Sequence, residues 1–403
     1  GWPRPVFTIG LDRPAEFDEL YHVLAARGWL ATGELRIADG LYERTALYSM
    51  LIGLLFERLG ESLVVARLPS VAASAVLAAV LFAWLRRWCS PAVAWVGAVL
   101  FVVSPFTIDF AHYARFYAVQ SLAFVLGAMA VFQAVVAAGP RQWPGLLLAA
   151  ALAFAVALYL QVTTLIGLAG LGLWWGLVVV LPRLWRQPPG RRLLWLLLAL
   201  ALGLAGLGLA LAAGLVDRYL ALYRAVPLFA AESAGEVWFY HLWLTLYYPT
   251  LWSLLPLAVL LALAAHPRPV FLAVVVFGVA FLLHSLAPFK GTRFIAYALP
   301  FLYVVLAVAV VEGWGWLRRA IRAALLRLDA AGGGAWPLTL VGRERLALAL
   351  VLGFLLVANA AFVRSVFLLA DIRVPPQPPW VDWAAAAPVL APVLAAADMV
   401  VTT

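Results

Sequence analysis

Charged residues are scarce in this chain of 403 residues, with 28 Lys and Arg against 19 Asp and Glu, so where they fall is informative. The first chemically interesting group is Phe17-Asp18-Glu19-Leu20-Tyr21-His22, ahead of an amphipathic run from Val23 to Leu30. On a helix, Asp18 and His22 share a face and Glu19 turns about 100° away. Two neighbouring carboxylates can serve as a general base on a hydroxyl, or can hold a divalent cation such as Mg²⁺ or Mn²⁺. Acids at a helix start also offset the helix dipole without any chemistry. A second group, Ser104 to Tyr117, sets Asp109, His112, Arg115 and Tyr117 in one aromatic-rich turn. Arg there can fork onto a phosphate, and Asp109 can face Asp18 as a second acid. Tyr and Arg equally suit anchoring at a membrane surface.

A third group is Pro288-Phe289-Lys290-Gly291-Thr292-Arg293-Phe294, which contains the only lysine of the chain. Its two positive charges can hold a lipid phosphate, or can simply be tolerated beside more strongly basic loops elsewhere. Arg67, in Ala66-Arg67-Leu68-Pro69-Ser70, can snorkel to the interface or pair with Glu57 or Glu61. The aromatic stretch from Tyr240 to Tyr248 can dip into the membrane as a wall for a lipid tail, or form a plain interfacial helix.

These residues need a scaffold, and composition says of what kind. The chain is 66% hydrophobic and 12% charged, with a mean hydropathy of +1.01. Soluble domains carry about 45–50% apolar and about 25% charged residues, so the bilayer is the main solvent. Windows of about 19 residues predict ten spans, near 63–85, 91–109, 117–138, 145–160, 163–181, 193–216, 247–265, 269–287, 294–316 and 346–369, with an interfacial helix at 45–56. With the segment before residue 63 outside, the inner connections hold 14 of the 28 basic residues but only Glu312, Asp329 and Glu344 among the 19 acids. Basic loops belong in the cytoplasm, which puts residues 1–62, 217–246 and 371–403 outside. The net charge of +9 is therefore a topology signal, and no basic stripe with interleaved aromatics points to nucleic acid. Cys89 is the only cysteine, which excludes an internal disulfide.

The organisation expected is an extracytoplasmic first loop over 1–62, a transmembrane helical domain over 63–370, and a linker leading to the start of an extracytoplasmic soluble domain over 371–403. The Pro-rich run from Val374 to Pro379 is a stiff extended linker. Both ends are expected to be cut, since residue 1 is Gly rather than Met. The span interiors lack the mid-membrane acids and Arg ladder of an ion-coupled transporter or voltage sensor. No Gly-rich phosphate loop, His-Glu-x-x-His or Gly-x-Ser-x-Gly occurs.

The ordered set of motifs is more specific than any one of them. Asp18-Glu19 in the first outer loop, Ala66-Arg67-Leu68-Pro69-Ser70, Ser104-Pro105-Phe106 before Ala114-Arg115-Phe116-Tyr117, and the late Lys290 to Phe294 with Pro300 resemble the polyprenyl-phosphate-sugar-dependent glycosyltransferases of the GT-C fold. The group in question contains bacterial protein O-mannosyltransferases and aminoarabinose transferases, and the resemblance covers about residues 16 to 370. It implies an all-α polytopic membrane protein, a GT-C-like bundle with extracytoplasmic loop helices, in the bacterial plasma membrane with its active site outside. It also implies inverting transfer of a sugar from a polyprenyl-phosphate donor to a hydroxyl of a lipid, glycan or protein acceptor. In that mechanism Asp18 is the base, with Glu19 beside it and Asp109 as the second acid. Arg115, Tyr117, Lys290 and Arg293 lie at the donor phosphate, and His22, His112 and Arg67 are further candidates. Some relatives use a divalent cation and others none. The rival reading, a transporter or lipid flippase, predicts deep ionisable groups and internal pseudo-symmetry, and a scaffold leaves Asp18-Glu19 and the Lys290 loop without a reason.

Overall fold

The computed structural model describes residues 17–37, 40–139, 141–218, 220–221, 236–287, 290–331 and 339–357. Helix α1 (Phe17–Thr32) is followed by a small antiparallel pair, Arg36–Ile37 with Gly40–Leu41. A Cβ on Gly28 would lie 2.2 Å from the Arg36 carbonyl oxygen, so a glycine is required for the pair to rest on α1. Helix α2 (Ala46–Leu59) coincides with the expected interfacial helix.

Helix α3 (Leu63–Trp88) starts at Ser62, whose hydroxyl accepts the Val65 N–H at 3.2 Å, and runs to Arg86 and Arg87. Helix α4 (Pro91–Val102) starts the same way at Ser90, with Pro91 in its first turn. A continuous span over 91–109 is not what forms: α5 (Pro105–Ala111) turns away from α4 by 61°. The cause is Ser104-Pro105, because a residue before proline is pushed into extended backbone, and Ser104 has ψ 128°. The expected span over 247–265 is likewise broken, into α10 (Phe239–Tyr247), α11 (Pro249–Ser253) and α12 (Leu255–Ala265). Tyr248, before Pro249, is non-helical, and α12 alone reaches only about 16 Å at 1.5 Å per residue.

The other helices are α6 (Tyr117–Val136), α7 (Trp143–Leu160), α8 (Thr164–Trp185), α9 (Pro189–Ala212), α13 (Pro267–Leu286), α14 (Thr292–Ala330) and α15 (Leu340–Val357). Among the described residues seven helices are long and apolar enough to cross a membrane, or eight if α4 and α5 form one bent span. The tenth expected span is described only to residue 357, and the expected soluble domain lies outside the described residues. The chain is an all-α polytopic membrane protein.

Residues Leu299 to Ala309 of α14 are buried without exception, the pattern of a helix apolar on every side at the centre of a bundle. Helices α4, α12 and α13 pack around it, α3 packs on α4 and α6, and α8 on α13. At Gly170 a Cβ would stand 3.1 Å from Val276 Cα, so the small residue lets the α8 and α13 backbones approach. Helix α9 has no buried residue and presents its apolar side chains outward. The starts of α3, α6, α8 and α14 are held together at one end of the bundle, and the residues singled out above gather there.

Candidate active site

Asp18 stands in the first turn of α1, half-buried. Its carboxylate receives Arg293 Nη1 from the first turn of α14, and Arg115 Nη2 lies 3.9 Å from the same oxygen. Arg115 also donates from Nη1 to the Asp18 backbone carbonyl at 2.7 Å. Residues 18, 115 and 293, distant in sequence, thus form one carboxylate between two guanidiniums. Arg115 is itself stacked over Phe116 and Tyr117, with its guanidinium 5.4 and 5.7 Å from the ring centres, which fixes its plane. The Nε–H of Arg115 and the Nε–H of Arg293 are both buried without a protein acceptor. Each arginine therefore keeps a charged donor unsatisfied beside Asp18.

Glu19, the neighbouring acid, does something else. Both its oxygens are taken by Arg67, Nε to Oε1 at 2.8 Å and Nη2 to Oε2 at 2.7 Å, and Oε1 also accepts the Ala114 N–H at 2.6 Å. Both side chains are fully buried. This bidentate pair binds α1 to α3 and to the turn before Arg115, and so fixes where Asp18 sits. Arg67 pairs with neither Glu57 nor Glu61 here, and Glu61 instead meets Arg27 at 2.5 Å. Ser70, one turn along α3, donates to the Arg115 carbonyl at 2.8 Å and hydrogen-bonds Tyr48 at 3.0 Å.

Lys290 is buried, and its ammonium points back at the end of α13. It donates to the carbonyls of His284 at 3.3 Å, Ser285 at 2.5 Å and Ala287. An ammonium has three donors, so all are engaged, and its cation sits at the negative end of a helix dipole. Burial lowers its pKa, against the pull of Glu236. In this arrangement Lys290 holds the loop that carries Arg293 rather than presenting a free charge. The Tyr240 hydroxyl donates to the Gly291 carbonyl at 2.9 Å and ties α10 to the same loop. The aromatic stretch is therefore built into the bundle, since Tyr248 also shares a hydroxyl cluster with Ser104 at 2.6 Å and Tyr303 at 3.1 Å.

The remaining candidates divide. Tyr117 is buried against Phe116 and Tyr113 beside Arg115. His22 lies below Asp18 on α1, fully buried, with Nδ1 2.8 Å from Ser49 Oγ and Tyr42, Tyr48 and Phe116 edge-on around the ring. Burial holds its pKa well below 6.5, and Arg115 and Arg44 add to the effect. It is neutral in this setting, and its Nε2 is buried without a hydrogen-bond partner. His112 turns its Nδ1 to the Ile108 carbonyl at 2.8 Å, capping its own helix, and Asp109 is half-buried on α5.

The donor set does not suit a divalent cation. Asp18 and Glu19 turn to different arginines, so each carboxylate already faces positive charge, and among the described residues no three His, Cys, Asp or Glu side chains converge. Arg44, 5.8 Å over the Phe116 ring, does not stand out in the sequence, because a single arginine in a loop carries no spacing signal. Tyr240 stands out there as one of an aromatic stretch, but its tie to the Gly291 loop does not.

No protein-family model matches the chain, and no curated protein matches it in sequence. The fold does have solved counterparts. It is similar to the crystal structure of ArnT from Cupriavidus metallidurans in the apo state, with a TM-score of 0.57 at 18% identity over 88% of this chain and 69% of that one. The same enzyme bound to undecaprenyl phosphate gives a TM-score of 0.56 at 18% identity, over 90% and 70%.

Proposed function

We propose that this protein is a membrane glycosyltransferase that moves a sugar from a polyprenyl-phosphate donor to an acceptor hydroxyl, with inversion, at the extracytoplasmic face. The observation that carries the reading is Asp18 set between Arg115 and Arg293, each keeping a buried N–H without an acceptor. Two guanidiniums with donors to spare are a phosphate site, and a carboxylate among them is a base at the same place. A counterpart of this fold was crystallised bound to undecaprenyl phosphate, a lipid of the class that such a site would accept. The charge asymmetry of the loops supports an outside position for this end of the bundle.

The chemistry follows from the positions. A donor phosphate displaces the Asp18 carboxylate from Arg293 and Arg115, and so frees Asp18 Oδ2 to take the acceptor's proton. The acceptor oxygen forms its bond to the anomeric carbon as the carbon–oxygen bond to phosphate breaks. Polyprenyl phosphate leaves with the electron pair, and its added charge falls on the two arginines. Glu19 and Arg67 hold Asp18 in register, and Lys290 holds the Arg293 loop. No nucleotide is needed, in keeping with the lack of a nucleotide motif.

The test uses the purified protein, a panel of labelled polyprenyl-phosphate sugars, and release of polyprenyl phosphate as the readout. Asp18→Asn is expected to lose on the order of 10²–10⁴ in rate with folding intact, and a loss below threefold moves the base to Asp109. Arg293→Ala is expected to weaken undecaprenyl phosphate but not neutral undecaprenol. Equal loss of both ligands would remove the arginine from the phosphate.

A further inference from the structure

A second polar group lies one turn deeper than the arginines. Helix α7 ends and α8 begins at Gln161-Val162-Thr163, a turn whose polar residues would be solvated if it were an ordinary surface loop. They are not: Gln161, Thr163 and Thr164 are 3%, 5% and 0% exposed, and Gln120 of α6 beside them is 0% exposed. The Thr164 hydroxyl donates to the Ala157 carbonyl at 3.0 Å and accepts Gln120 Nε2 at 3.0 Å, which pins α6 to the turn. Three side-chain atoms there have no protein hydrogen-bond partner: Gln120 Oε1, Gln161 Nε2 and Thr163 Oγ1.

Packing alone does not account for them. A buried polar atom left unsatisfied costs about 1–3 kcal/mol, and Leu or Val at 161 and 163 would seal the turn without that cost. The set comprises one acceptor, one amide donor and one hydroxyl that can do either. It is uncharged, so it suits neutral hydroxyls rather than a phosphate. Its position is also specific. Gln120 follows Tyr117 by three residues on α6, about 5 Å along the helix axis, and its bond to Thr164 ties the turn to α6 one helical turn in from the Arg115–Tyr117 stack.

We propose that Gln120, Gln161 and Thr163 form the subsite that reads the hydroxyls of the donor's sugar. The proposal rests on the polyprenyl-phosphate-sugar reading above and adds to it the residues that recognise the sugar. Thr163→Val and Gln161→Leu are suitable variants, because each removes an atom with no protein partner and keeps most of the volume. The measurement is the affinity of wild type and variants in lipid nanodiscs for undecaprenol, undecaprenyl phosphate, and undecaprenyl phosphate carrying mannose or arabinose. The wild type is expected to prefer at least one glycosylated carrier over undecaprenyl phosphate. Each variant is expected to lose about tenfold of that preference, the equivalent of about 1.4 kcal/mol, with undecaprenyl phosphate affinity unchanged. Preference retained in both variants would overturn the proposal, and a raised Tm alongside it would mean that the atoms hold only water. A wild type with no preference for either sugar would overturn it equally. Should the wild type bind undecaprenyl phosphate no better than undecaprenol, the carrier reading itself fails, and the subsite with it.

Discussion

The two ends of the bundle use ion pairs in different ways. At the site end, Asp18 meets an arginine 275 positions away and Glu19 one 48 positions away. The Glu19–Arg67 pair is wholly out of water. At the far end, Arg343 clasps Asp329 across 14 positions, and Arg318 reaches Glu344 across 26, both between the consecutive helices α14 and α15. There Arg318 is 62% exposed. Chain connectivity already brings α14 and α15 together, so the far pairs decorate a contact that exists without them. The near pairs join α1, α3, the turn before α6 and the start of α14, elements that chain connectivity does not place side by side. Buried long-range pairs are the costly kind, and the Glu19–Arg67 pair holds in place Asp18, the carboxylate that two arginines from distant parts of the chain approach.

The sharpest way to break this contrast is Glu19→Gln. It leaves Arg67 buried without its counter-charge, and removing one partner of such a pair costs about 3–5 kcal/mol. A large fall in Tm in detergent is expected, together with loss of transfer, because Asp18 is no longer held. If Glu19→Gln keeps full stability while activity falls, Glu19 takes part in the chemistry directly. Lys290→Met comes next, at about 1.5–3 kcal/mol for charge-assisted hydrogen bonds to the end of α13. As a cap, Lys290 should affect undecaprenol and undecaprenyl phosphate binding equally when removed. A phosphate-selective loss would show that the ammonium leaves the helix end for the donor.

His22 sharpens the comparison through pH. Its folded-state pKa lies well below 6.5, mainly because it is buried. Below about pH 6.5 the unfolded chain takes up a proton that the folded chain refuses, so stability falls as pH falls. The slope approaches about 1.4 kcal/mol per pH unit. Tm measured between pH 7.5 and 5 should drop more steeply in the wild type than in His22→Gln, and identical slopes would mean that His22 is hydrated in solution.

Much of this was legible in the sequence, for physical reasons. Hydropathy finds long helices because crossing hydrocarbon demands unbroken apolar length, and α3, α6, α7, α8, α9, α13 and α14 answer to it. The same averaging runs straight through Ser104-Pro105 and Tyr248-Pro249, where backbone sterics rather than polarity end the helix. Asp18, Arg115 and Arg293 stood out because charges in an apolar chain are few. The partner of Arg67 did not, since Glu57 and Glu61 are closer in sequence and only the tertiary fold brings Glu19 to it. Lys290 was visible as a charge, but its three carbonyl acceptors belong to the backbone, which no side-chain pattern encodes. The polar turn at Gln161 falls between the expected spans 145–160 and 163–181, and composition alone does not say whether such a turn is wet.

The smallest effect is expected from the far end, and it is the control on which the contrast depends. Asp329→Asn and Arg343→Gln each break the bidentate pair with distances of 2.7 Å. Asp329 is 35% exposed while Arg343 is 12% exposed, so water reaches the carboxylate side of the pair, the two helices remain joined by the chain, and salt screens part of the attraction. Neither variant should shift Tm measurably or alter affinity for undecaprenyl phosphate, and raising the salt concentration should leave them indistinguishable from wild type. Glu19→Gln should remain destabilised in the same salt, because no ions reach the buried pair to screen it. A fall in Tm for Arg343→Gln comparable with that of Glu19→Gln would show that the far pairs bear on the bundle as a whole. The distinction between a local clasp and a long-range one would then have to be abandoned.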